Sequence, residues 1–134
     1  MIKTEQEIER DFFSFVKESE LGRIIKGNIY RPDMRPANAK TEDCIVKFLA
    51  GLDEQVQSGV VIINIYVPDV KNSDGRLVKN HPRIGELERA LLDFVNNNDN
   101  TEYWMETDGS PSSTKNEEIN QHLVYCRIKF NRIT

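Results

Sequence analysis

Asp33, Asp69 and Lys71 are the residues whose types could do chemistry if the fold brought them together. Two carboxylates can hold Mg²⁺, and a lysine can help activate the attacking water. Asp33 follows Pro32, and Asp69-Val70-Lys71 has the acid-x-lysine spacing. Solvated turns read the same way, because Pro, Asp and Asn dominate turns. Other chemistry has weaker support. The histidines, His81 beside Pro82 and His122, have no Cys, His, Asp or Glu at a metal-ligand spacing, so surface or capping roles are expected. All seven glycines are isolated, so no glycine-rich phosphate loop occurs. No serine or cysteine sits in a nucleophile-elbow context. Asp69 to Gly75 imitates a calcium loop, but Lys71 takes an oxygen-ligand position and the closing Glu is missing. The sequence therefore predicts no catalytic residue, no metal and no cofactor.

The elements that would position these residues follow from periodicity. Thr4 and Glu7 fit a capping box ahead of Ile8, Phe12, Phe15 and Val16, a helical stripe that Gly22 could stop. A short strand from Gly27 to Tyr30 precedes the extended segment Arg31-Pro32-Asp33-Met34-Arg35-Pro36. Asp43 to Ala50 alternates, with Cys44, Val46, Phe48 and Ala50 on one face. A hairpin-type connection, Gly51 to Gly59, leads into the apolar run Val60 to Val67. That run has only Asn64 as a polar interruption and reads as a central strand covered on both faces. The polar excursion Asp69 to His81 turns at Asn72-Ser73-Asp74-Gly75, and Arg76-Leu77-Val78 is expected to return toward the sheet.

Asn80 and Pro82 suit the start of a second helix with the stripe Ile84, Leu87, Leu91, Phe94 and Val95. Thr101 to Thr107 is a strand with Tyr103 and Met105 opposite Trp104. Asp108 to Ser113 is a loop of low complexity. Gln121 to Arg132 alternates, with Val124, Cys126, Ile128 and Phe130 on one side. The expected order is α-β-β-β-α-β-β. Two amphipathic helices need an apolar sheet face, so the fold class is α+β, a two-layer sandwich with a mostly antiparallel sheet in one domain over 1–134.

That order resembles the core of the PD-(D/E)xK nucleases, for which Asp33, Asp69 and Lys71 would imitate the Mg²⁺-binding pieces. In that pattern the acid-x-lysine element lies inside the third core strand, where this chain has Ile63-Asn64-Ile65. The preceding strand offers Ile45-Val46-Lys47, with an apolar residue in place of the acid.

Bulk properties narrow the partners. A chain of 134 residues with 38% hydrophobic and 30% charged residues supports one hydrophobic core with polar loops. A net charge of −4 argues against general or sequence-specific nucleic-acid binding, although Arg23, Lys26, Arg31 and Arg35 form a local basic cluster. Cys44 and Cys126 fall in alternating strand patterns and read as buried free thiols, with a disulfide between neighbouring strands as the alternative. Met1 to Glu5 lacks the apolar run of a signal peptide and no run suits a membrane span, so a cytoplasmic location is expected.

The whole-chain pattern also resembles the tail-completion, or tail-terminator, proteins of long-tailed phages and prophages. The stripe Ile8-Phe12-Phe15-Val16, the strand Val60 to Val67 and the stripe Leu87-Leu91-Phe94 carry the likeness, which spans Thr4 to Ile133. It implies a structural subunit of a ring, usually a hexamer, that caps the tail tube and joins it to the head connector. The chain would then be a virion component made in the host cytoplasm. The family offers no catalytic residues to transfer. Candidate oligomer contacts are Arg31, Met34 and Arg35 of the arm, together with Tyr103 and Trp104, because aromatic and arginine side chains concentrate binding energy. Core packing is the competing reading for Trp104, and a plain surface loop for the arm. The alternatives are a Mg²⁺-dependent nuclease-like domain and a small non-catalytic intracellular binding module.

Overall fold

The computed structural model describes residues 1–53, 56–116 and 119–133. The chain is α+β, with helices and a mostly antiparallel sheet. Helix α1 runs Glu5–Glu18. Its capping box forms as the sequence predicts: the Glu7 N–H donates to Thr4 Oγ1 at 3.2 Å and the Thr4 N–H to Glu7 Oε1 at 3.0 Å. Gly22 does not stop this helix. Ser19 ends α1 and its side chain caps a second short helix, α2 (Glu20–Ile24), by accepting from the Gly22 N–H. Gly22 is required there for a different reason. A β-carbon at this position would run into the main-chain carbonyls of Val16 and Lys17.

Strands β1 (Ile29–Tyr30), β2 (Asp43–Leu52) and β3 (Val56–Pro68) follow. The Asn72–Gly75 turn, with Gly75 at φ +89°, joins β4 (Val70–Lys71) to β5 (Leu77–Val78). These two pair only with each other, so Leu77 and Val78 do not return to the main sheet. Helix α3 (His81–Asn96) starts at Asn80, whose side chain accepts from the Arg83 N–H, with Pro82 in the first turn. Then come β6 (Tyr103–Thr107), β7 (Ser112–Asn116) and β8 (Gln121–Ile133).

The main sheet is ordered β1-β2-β3-β8-β6, with β7 also on β8. Among the described strands, only β1 and β2 pair in parallel. Strand β8 pairs with β3 along its whole length and, on its other side, with β7 at residues 121–125 and β6 at 128–132. Thus β6 and β7 make one interrupted strand, and the expected loop Asp108–Ser113 contains the interruption and the start of β7.

A single core gathers Ile8, Phe12 and Val16 of α1, Leu87 and Leu91 of α3, and the inward residues Val46, Ile63, Cys126 and Ile128 of the sheet. Phe12 meets Tyr103 edge-on at 5.1 Å between ring centroids and Phe130 at 5.4 Å. β3 is central, as its composition suggests, but it is covered on one face only. Val61, Ile63, Ile65 and Val67 are buried, whereas Val60, Ile62, Asn64 and Tyr66 are half-buried. Asn64, beside Ile45 and Tyr125, marks the more open face.

Cys44 and Cys126 are both free and buried. β3 runs between their strands and they face Ile65 and Ile63, two residues apart on it, which places them more than two strand spacings, about 9–10 Å, apart. A disulfide needs Cα atoms within about 7 Å.

Candidate interaction surface

Strand alternation assigns Tyr103 and Trp104 opposite tasks. Tyr103 is 1% exposed, its ring in the aromatic core and its hydroxyl donating to Asp11 Oδ2 at 2.7 Å. Burial, then the hydrogen bond to the Asp11 carboxylate, raises its phenol pKa far above the usual range. Tyr103 is therefore a core residue, and an interface role for it in the folded chain is set aside. Trp104 is 53% exposed on the outer face, so core packing does not account for it.

Trp104 belongs to an apolar patch. A bulge between Phe48 and Ala50 shifts the register of β2 against β3, and Leu49 stands unpaired. Beyond it Ala50 and Leu52 share the outer face with Ser58 and Val60. With Trp104, Glu106 and Lys129 they line a shallow hollow of about 600 Å³. Leu52 is 63% exposed. The patch reaches β6, the last strand of the sheet at that end.

The arm is anchored more firmly than an expected loop or free docking segment. Arg35 lies under the opposite end of the outer face: its Nε donates to Asp43 Oδ2 at 2.9 Å and its guanidinium stacks 4.1 Å from the Tyr66 ring centroid. Burial alone would raise the Asp43 pKa, but hydrogen bonds from the Asn28 N–H, Thr41 and Arg35 outweigh it and hold the carboxyl below its usual range. Arg31 donates to Glu9 Oε1 and to Gln6 of α1. Met34 alone of the arm candidates is freely presented, at 68% exposure, in a turn where Asp33 takes φ +69°.

Glu9 was not singled out by its sequence, where it is one more charge on an acidic helix. Its side chain is nearly buried and accepts from the Phe48 N–H at 3.0 Å, on the β1 side of β2 but beyond the two residues that β1 pairs. A carboxylate thus occupies a strand-edge donor that another chain could otherwise pair with. Gln57 and Arg132 were missed for other reasons: Gln57 reads as part of the polar connection Gly51 to Gly59, and Arg132 interrupts the apolar side of the last strand. Arg132 Nη1 donates to Gln57 Oε1 and to the Met1 carbonyl, and Gln57 exchanges hydrogen bonds with the Lys3 backbone. Together they tie the first residues to the sheet.

The nuclease-type residues occupy different settings. Asp69 Oδ1 lies 2.7 Å from His122 Nδ1, in a pair whose Asp side chain is 2% exposed. Lys71 is exposed on β4, and Asp33 is exposed in the arm's turn. Among the described residues, no three of His, Cys, Asp or Glu are grouped to hold a metal ion. Nor is any described helix long and apolar enough to cross a membrane. In comparisons with known proteins, the chain matches no family model and no curated sequence.

Proposed function

We propose that the chain is a structural assembly protein, a two-layer α+β sandwich whose outer sheet face joins it to further copies in a ring. A tail-terminator-like subunit that caps a tail tube and meets a head connector is the specific form of this reading, carried by the family resemblance. The observation that supports self-assembly is the patch around Trp104 and Leu52. A tryptophan and a leucine, both more than half exposed, line one hollow with Val60 and Ala50, with Ser58 and Asn131 on the two strands between them. Water-exposed apolar surface of this kind is stabilised by being covered. The occupant proposed is a second copy of the chain. The patch extends to the sheet's terminal strand β6, with Lys129 of β8 between Val60 and Glu106, so a neighbour can meet apolar surface and either charge. A contact between two different patches of identical subunits closes into a ring when its rotation permits.

Sedimentation velocity across a concentration series, with negative-stain microscopy of the largest species, tests this. Rings that dissociate in Trp104→Ala without loss of thermal stability are expected. A chain that stays monomeric at its highest soluble concentration, or assembles equally well in Trp104→Ala, overturns the proposed interface.

A further inference from the structure

A second surface lies in the helix layer, where α1, α2 and the last turns of α3 leave a cleft of about 500 Å³. Its floor is apolar: Phe15, Ile24 and Phe94 all pack against the core yet remain partly uncovered. Its rim carries Glu18, Glu20, Asp93 and Asp99, and no lysine or arginine is among the described residues that line it. Glu20 is engaged by exposed Arg23 at 2.7 Å, which leaves the other three carboxylates to set the local field.

The helices add to that field. α1 ends at Glu18 and α3 at Asn96, so both present C-terminal carbonyl ends toward this region. α3 has no basic residue in its last turn. Helix C-termini carry partial negative charge and favour cations. The cleft therefore combines an apolar floor, an acidic rim and the negative end of a helix that its own sequence does not compensate.

We infer that this cleft docks a basic amphipathic segment of a partner protein, with one or two large apolar side chains on the Phe15–Phe94 floor and flanking lysines or arginines on the rim. Apolar anchors supply affinity and complementary charge supplies orientation and selection. This site does not depend on the self-assembly surface, since no residue lines both.

The test is an amide chemical-shift titration of the full chain with three synthetic helical peptides. One has leucines at i, i+3, i+4 spacing and lysines elsewhere. The second replaces the leucines by serine, and the third replaces the lysines by glutamate. The leucine–lysine peptide is expected to shift amides of residues 15–24 and 90–99, with the other two inactive at the same concentration. Asp93→Lys combined with Asp99→Lys, both at exposed sites, is expected to weaken binding by about tenfold or more. Trp104→Ala is expected to bind as the unmodified chain does. No shift at about 1 mM peptide, equal binding by the serine peptide, shifts centred on the outer sheet face, or unchanged affinity in the double reversal each overturn the inference.

Discussion

Glu42 and Asp43, consecutive in the chain, are both buried and hold arginines on opposite sides of the sheet, Arg83 at 2.8 Å and Arg35 at 2.9 Å. Arg83 comes from the first turn of α3 and also donates to the Ile24 carbonyl, so the Glu42 pair binds α3 to the end of α2. Arg35 comes from the arm. One dipeptide at the start of β2 thus fastens a helix to one side and the arm to the other.

Removing either arginine leaves a buried carboxylate without its partner. Arg35→Ala and Arg83→Ala are each expected to cost about 3–5 kcal/mol, read by urea denaturation. Loss of less than about 1 kcal/mol in Arg35→Ala would show that the arm is merely adjacent to the sheet.

Acid should dissolve both anchors. Burial raises the Glu42 pKa, but hydrogen bonds from Arg83 and the Lys26 N–H outweigh it, so Glu42, like Asp43, titrates below its usual range. A depressed folded pKa contributes stability that is present above the unfolded values of about 4 and lost as pH falls through the lower folded values. Stability should therefore fall steeply below about pH 4, and Glu42→Gln should flatten that fall while lowering stability at neutral pH. An unchanged acid slope in Glu42→Gln would refute the assignment.

Adjacent residues on β6 give a direct contrast. Tyr103→Ala removes a core ring and should destabilise the fold by about 3–5 kcal/mol. Trp104→Ala should leave thermal stability nearly unchanged and alter only association. A melting temperature that falls alike in both variants would place Trp104 in the fold's own packing.

The edge contact of Glu9 is read by hydrogen exchange. Glu9→Ala frees the Phe48 amide, whose exchange should speed up relative to Ile63 on β3, flanked by β2 and β8, with a stability loss of about 1–3 kcal/mol. Unchanged Phe48 protection would show that the carboxylate is not its protector.

Both thiols should be inert in the native state. Burial, with the neighbouring Asp43 charge, pushes the Cys44 thiol far above its usual range, and burial pushes Cys126 up to about 11. Iodoacetamide at about pH 8 should leave the folded chain unmodified and label both residues in denaturant. Native-state labelling would mean that the sheet opens locally.

The periodic elements were legible because their signals are local. Thr4 and Glu7 start α1, Asn80 and Pro82 start α3, and the alternation around Trp104 separates it from Tyr103 and Met105. What was not legible depends on partners distant in sequence. Ser112–Asn116 is too polar to read as a strand and becomes one because β8 extends past β6. The outer face of β3 looked like core because half-buried Val60 and Ile62 are as apolar as Val61 and Ile63. Arg35 looked free because its partners, Asp43 and Tyr66, are brought to it by the sheet.

The placement of β8 also orders events during synthesis. β3 reaches its second neighbour through residues 121–133, made after β1 to β7 and the three described helices. A nascent chain halted before that point has a β2–β3 hairpin whose inner strand is bare on one side, and β6 and β7 have nothing to join. Such an intermediate is exposed to mispairing and to proteolysis. A central strand of the sheet is thus translated after every strand it joins, and any truncation or stall within β8 should yield not a trimmed protein but an unfinished one.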